Sequence, residues 1–129
     1  MNEQELNQKF QAYEQEIIYL QEQLKAVGQA IYDMNVVVSG LTDLKGKTGE
    51  EIMAPIGRGI FVKAKLLSEE LTVDVGGKNF ITKSIDETKG LIEDQVKKLN
   101  TMKNEIESSL DKVNEDITKT MQEFQEGNN

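Results

Sequence analysis

The sequence predicts an α+β chain, mainly α, in which two long helices form an antiparallel coiled coil and two β-hairpins lie between them. Three observations carry this. From Leu6 to Leu41 the apolar residues recur every 3.5 positions on average; from Gly49 to Lys83 the period falls to two; from Ile85 to Phe124 a narrow helical stripe returns. A heptad stripe is too narrow for a globular core and must be buried against another helix, whereas a period of two marks strands.

In the first helix the stripe is Leu6, Phe10, Tyr13, Ile17, Leu20, Leu24, Val27, Ile31, Met34, Val38 and Leu41, with steps of four and three alternating throughout. Phe10, Ile17, Leu24, Ile31 and Val38 take position a, and the other six take position d. At roughly 1.5 Å per residue the rod is about 55 to 65 Å long. Glu3 and Glu5 suit its positive end, Lys45 suits the last turn, and Gly46 supplies a C-terminal cap. Gly28 and Gly40 lie inside the pattern and cost about 1 kcal/mol each relative to Ala, which burial of the seam outweighs.

The middle segment reads as two hairpins. Ile52, Ala54 and Ile56 alternate with Met53 and Pro55; Gly57-Arg58-Gly59 turns the chain; Ile60, Val62, Ala64 and Leu66 return. Leu71, Val73 and Val75 then lead to a turn at Gly76-Gly77, from which Phe80 to Thr82 return. Pro55 cannot donate to a ladder, so its strand lies at an edge or carries a bulge. Both helices have a seam of their own to bury, and neither is left to cover the hairpins. Hairpins this short are marginal alone, so they are expected to pair with hairpins of other copies or partner subunits. Ile52, Pro55, Gly57, Gly59, Ile60, Val62, Ala64, Leu71, Val73 and Val75 are the expected assembly residues. The domain division expected is 1–45 for the first helix, 46–83 for the assembly hairpins and 84–129 for the second helix.

The second helix opens on Ser84-Ile85-Asp86-Glu87, a capping box. Its apolar positions are Ile85, Ile92, Val96, Leu99, Met102, Ile106, Leu110, Val113, Ile117, Met121 and Phe124, about 3.56 residues per step from Ile92 on, with a local discontinuity expected around Ile106, Leu110 and Val113. Matched helix lengths around a compact insert imply antiparallel pairing within one chain, with both termini at the free end. There Leu6, Phe10 and Tyr13 face the neighbourhood of Phe124, Met121 and Ile117, and the polar tail Glu126 to Asn129 is expected to fray.

Composition narrows the function classes. Of 129 residues 37% are hydrophobic and 5% aromatic, too few for a large compact core. No Cys and no His are present, which removes thiolate nucleophiles, cysteine zinc sites and the usual general base near neutral pH. Gly46-Lys47-Thr48 resembles the end of a phosphate-binding loop, but position 41 is Leu41 where a glycine is required, and a helix precedes it rather than a strand. Gly57-Arg58-Gly59 lacks the third glycine of a dinucleotide fingerprint. Glu50-Glu51, Glu69-Glu70 and Glu93-Asp94 read as solvated charges. The chain is therefore expected to be no enzyme and to need no cofactor or metal. A polar N-terminus without a long apolar run predicts a soluble, cytoplasmic protein that does not span a membrane. The net charge of −8 is distributed as −5 over residues 1–44, +2 over 45–83 and −5 over 84–129. Such a balance disfavours nucleic acid as a partner.

The apolar residues at the free end are the remaining functional candidates. Leu6, Phe10, Tyr13, Ile17, Ile117, Met121 and Phe124 are expected to be partly exposed where pairing loosens, as an adaptable surface for apolar segments of non-native chains. The competing reading is a structural adaptor, an acidic coiled-coil spacer bridging two folded partners.

The order helix, two hairpins, helix resembles the alpha subunit of archaeal prefoldin over nearly the whole chain. The first hairpin, Pro55-Ile56-Gly57-Arg58-Gly59-Ile60-Phe61-Val62-Lys63-Ala64, is similar to the family's Pro, paired glycines and Val-Lys-Ala run; Val73, Val75 and Gly76 resemble the second. Lys78 stands where the family's second hairpin usually carries another glycine. The resemblance implies an ATP-independent holding chaperone in which two alpha and four beta subunits join their hairpins in a β-barrel body. Six coiled-coil arms then capture unfolded polypeptides at their tips and pass them to a group II chaperonin. Separately, the acidic charge of the arms is compatible with a basic docking surface on such a partner.

Overall fold

A computed structural model describes residues 1–127 and contains α1 (Glu3–Leu44), β1 (Glu51–Gly57), β2 (Ile60–Lys65), β3 (Leu71–Asp74), β4 (Phe80–Lys83) and α2 (Ile85–Gly127). Two compact units are present. One comprises Met1–Tyr32 with the chain from Lys97 on, the other Asp33–Val96.

The first unit is a pair of antiparallel helical segments. Leu20 and Val27 of α1 are buried with Ile106 and Val113 of α2, and Tyr13, Ile17, Leu24, Ile31, Leu99, Leu110 and Ile117 pack around them. Each such side chain, when fully buried, stabilises by roughly 1.5 to 3 kcal/mol, and this narrow seam is the unit's core. α1 starts where Asn2 caps it, its Oδ1 accepting the Glu5 N–H at 2.8 Å.

Burial corrects the register expected for α2. Met102 is 48% exposed and Met121 is 41% exposed, whereas Lys103 is half-buried and Thr120 is 4% exposed. With Lys89, Lys103 and Thr120 in the stripe, the sequence Ile85, Lys89, Ile92, Val96, Leu99, Lys103, Ile106, Leu110, Val113, Ile117, Thr120, Phe124 alternates four and three without a break. No discontinuity exists at Ile106 to Val113; it came from counting methionines as seam residues. A lysine can hold a half-buried seam position because its stem covers apolar surface while its ammonium stays in water. The fraying expected from Glu126 is also absent through Gly127, which remains helical; Asn128 and Asn129 lie outside the described residues.

In the second unit α1 ends at Leu44, and Gly46 takes the left-handed conformation (φ 80°) of a C-terminal cap. Lys45 lies just past the last turn rather than in it. Its Nζ meets both carboxylate oxygens of Asp86 at 3.0 Å, and the Gly46 N–H donates to the Glu69 carboxylate. α2 begins at a capping box: Ser84 Oγ accepts the Glu87 N–H at 3.0 Å and donates to the Glu87 carboxylate at 3.1 Å. Ile85 behind it is buried.

The strands form two separate antiparallel hairpins, β1-β2 and β3-β4. In the first, Ile52 pairs with Ala64, Ala54 with Val62, Pro55 with Phe61 and Gly57 with Ile60; the register shifts between Pro55 and Gly57, and Pro55 also sits on an edge strand, where its missing N–H is tolerated. Arg58 (φ 51°) and Gly59 (φ 77°) turn the chain, the two positive angles of a type I′ turn. In the second hairpin the turn sits one residue later than expected, at Gly77 (φ 59°) and Lys78 (φ 62°), closed by the Asn79 N–H on the Gly76 carbonyl at 3.1 Å. β3 ends at Asp74, so Val75 flanks the turn and lies outside the strand.

Lys78 pays the left-handed penalty of about 1 to 2 kcal/mol that a glycine escapes, against the roughly 0.5 to 1 kcal/mol that glycine's unfolded-state freedom costs. Lys78→Gly should therefore raise stability by about 0.5 to 1 kcal/mol in chemical denaturation of the intact protein, and Lys78→Val should lower it. A glycine variant less stable than the parent would contradict this turn geometry.

Candidate interaction surfaces

At the first unit's end, where α1 begins and α2 finishes, heptad phase decides which side chains face inward. Leu6, Phe10, Tyr13 and Ile17 of α1 and Ile117 and Phe124 of α2 are half-buried in the seam. Thr120 is the polar member that apolar patterning missed. Its Oγ1 lies 3.0 Å from the hydroxyl of the half-buried Tyr13, so the buried Thr120 is satisfied across the two helices. Heptad phase carried forward from Val113 would have found it. The rings of Phe10 and Tyr13 sit 6.5 Å apart at 49°.

Met121, one residue past Thr120, points out of the seam instead of into it. With Phe10, Ile17 and Ile117 it lines a groove of about 450 Å³ to which the sequence reading had not assigned Ile18 and Glu14. Ile18 is 48% exposed. It follows Ile17 at an off-seam position, and an apolar residue there was the available signal. Thus the structure gathers Phe10, Ile17, Ile117 and Met121 in one groove and leaves Leu6, Tyr13 and Phe124 outside its lining. The helices do not part to make it; its exposure comes from apolar side chains next to the seam.

The hairpins present a second surface. Ile52, Ala54 and Ala64 on one face are half-buried and Val62 beside them is exposed. The opposite face carries Met53, Pro55, Phe61 and Lys63, with Met53 and Phe61 exposed. Gly57 and Gly59 form the bulge and turn; Ile56, at 71%, and Ile60 are exposed around them. In the second hairpin Leu71 and Val73 are half-buried, while Val75 and Phe80 are exposed. Met53, Ile56, Phe61 and Phe80 are apolar, exposed and outside the expected assembly set; Met53 and Phe61 lie on the face opposite Ile52, Ala54, Val62 and Ala64. Among the described residues neither hairpin has a third strand, so the outer backbone edges of all four strands are open.

The fragment Gly46-Lys47-Thr48 is a helix cap and turn, with Lys47 Nζ 3.8 Å from Glu50. No helix among the described residues is long and apolar enough to cross a membrane.

A family model described as prefoldin subunit matches residues 13–129. The chain belongs to the prefoldin family. Prefoldin membership gives it a chaperone role in general, and the resemblance carried by Pro55 to Ala64 points to the same family. Similar relatives include the prefoldin subunit alpha of Methanobrevibacter smithii, 30% identical over 110 residues, 84% of this chain and 70% of that protein. That of Methanococcus vannielii is 30% identical over 129 residues, covering 97% and 86%. That of Methanococcus maripaludis strain C5 is 33% identical over 124 residues, covering 93% and 79%. Among solved structures, the cryo-EM structure of filamentous PFD from Methanocaldococcus jannaschii has a TM-score of 0.79 at 24% identity, covering 91% of this chain and 98% of that one, a likeness of fold.

Removing either half of the part-buried hydroxyl pair should cost about 1 kcal/mol, because Tyr13→Phe orphans Thr120 and Thr120→Val orphans Tyr13. The double variant should cost less than the sum of the two by at least about 0.5 kcal/mol in denaturant titrations. Strict additivity would mean the hydroxyls are not coupled.

Proposed function

We propose that this chain is the alpha-type subunit of a cytoplasmic, ATP-independent holding chaperone that captures unfolded polypeptides at the ends of its paired helices and delivers them to a group II chaperonin. The observation that carries this reading is the groove of Phe10, Ile17, Ile18, Ile117 and Met121, an exposed apolar surface beside a fully paired seam. Exposed apolar surface that no packing requires marks an interaction site, and a flexible thioether adapts to varied apolar partners. Leu6, Tyr13 and Phe124 support the groove from the seam.

The hairpins supply assembly. Two short hairpins with open edges and apolar side chains on both faces are unsuited to stand alone in water. In this reading they join those of prefoldin beta subunits, two alpha with four beta, in a common β-barrel body, using Ile52, Pro55, Ile60, Val62, Ala64, Leu71 and Val73. The domain roles follow: helices for capture, hairpins for assembly. Each groove binds weakly, and several grooves on one body raise the effective concentration of the next contact, so a client is held without nucleotide.

The test is light scattering from a chemically unfolded, aggregation-prone protein diluted into the chain co-assembled with its partner subunits, without ATP. Suppression of scattering is expected near stoichiometry. Trimming residues 1–13 and 117–129 should leave assembly intact and abolish suppression; unchanged suppression would remove capture from this end. Conversely, Val62→Asp should abolish co-assembly in gel filtration while leaving helix content by circular dichroism largely unchanged.

A further inference from the structure

The net charge is concentrated around the groove. Residues 1–18 and 115–127 carry eight acidic side chains against two lysines, a net of −6 out of the chain's −8. Ion pairs within the described residues join Lys45 to Asp86, Lys47 to Glu50 and Lys83 to Glu87, all in the other unit, so these acids carry uncompensated charge. One of them stands in the groove itself: Glu14, exposed, lines it together with Phe10, Ile17, Ile18, Ile117 and Met121. The apolar walls favour an apolar segment, and Glu14 with the surrounding field favours positive charge at its margins.

We propose that the groove selects apolar segments flanked by Lys or Arg, and discriminates against the same segments flanked by acidic residues. This rests on the capture reading above and adds the chemical class of client to it. The mechanism is a division of roles. Burial of the segment's apolar side chains supplies binding that is common to all clients, while Glu14 and the acidic surroundings set a preference that salt can erase, because exposed charges are screened within about 8 Å at physiological ionic strength. Negative field also works against acidic flanks at the encounter stage, where like charge slows association.

The chain contains no cysteine, so Gln11→Cys, one turn before Glu14 on the exposed face of α1, can carry a single fluorophore in the full chain co-assembled with its partner subunits. That label reports on this groove and not on other subunits. The probes are two synthetic peptides with one apolar core, flanked by lysines in one and by glutamates in the other. The lysine-flanked peptide should bind roughly three- to fivefold more tightly at low salt, the range that exposed charge pairs supply. The preference should shrink toward equality at high salt and in Glu14→Gln, while Ile18→Asn should weaken both peptides alike. Equal affinity for the two at low salt, with both weakened by Ile18→Asn, would overturn the charge selection and leave apolar capture standing. A preference that Glu14→Gln leaves untouched, with the affinity of both peptides unchanged in Ile18→Asn, would place the basic flanks elsewhere and also overturn it. If neither peptide perturbs the label, capture at this groove fails as well.

Discussion

The structure depends on a narrow seam that closes α1 on α2 within one chain. Leu20, Val27, Ile106 and Val113 are its buried center, and all occupy the d position of an unbroken heptad. Among the described residues the other buried apolar side chain is Ile85, so the seam is the one cluster that holds the helices together. A seam of about one residue per turn also leaves most of each helix in water, which is why side chains next to it, rather than unpaired helix ends, supply the exposed apolar surface. Met121 is exposed because Thr120 is buried. Heptad phase sets both the register and the composition of the groove, and the Tyr13–Thr120 hydrogen bond adds to it, because a polar pair satisfied at one place in an apolar seam favours that alignment over others.

The two units solve the burial problem differently. The helical unit buries its seam residues within one chain and leaves Ile18, Met102 and Met121 exposed beside it. The hairpins satisfy their apolar residues and backbone only in part: β1 and β2 bond to each other, but their outer edges are open and Ile60, Phe61, Val62 and Phe80 remain exposed. Local chemistry still defines them tightly, through the Pro55 bulge, the positive φ angles at Arg58 and Gly59, and the Asp74 carboxylate that accepts the Gly76 N–H at 2.9 Å. A segment with well-specified backbone and unburied side chains is suited to completing its core against another chain, in keeping with membership of the prefoldin family.

Much of this was legible in the sequence. The α1 heptad, the capping box at Ser84 and Glu87 and a turn within Gly57-Arg58-Gly59 each follow from a rule acting over a few residues, and Pro55 limits its strand to an edge or a bulge. What escaped were positions where packing overrides residue type. Lys103 and Thr120 take seam places because heptad phase outranks polarity when a stem or a hydrogen bond can compensate, while Met102 and Met121 are apolar but out of phase. The turn at Gly77-Lys78 was placed one residue early because a lysine with positive φ is not signalled by its own chemistry. Ile18, Met53 and Phe61 were missed in the same way, as apolar residues off the single face that periodicity follows. The assignment of Phe10, Ile17, Ile117 and Met121 to one end came from pairing two helices of matched length, and their gathering in one groove required the heptad phase that puts Thr120 in the seam and Met121 beside it.

The most direct measurement of this account is a cross-link at the seam. Tyr13→Cys and Thr120→Cys introduced together into this cysteine-free chain, treated with a short bismaleimide in native conditions, should give a product of single-chain mass whose yield does not depend on protein concentration. A product of two-chain mass that grows with concentration would show that α1 pairs with the α2 of another copy and would contradict the closure on which the groove rests.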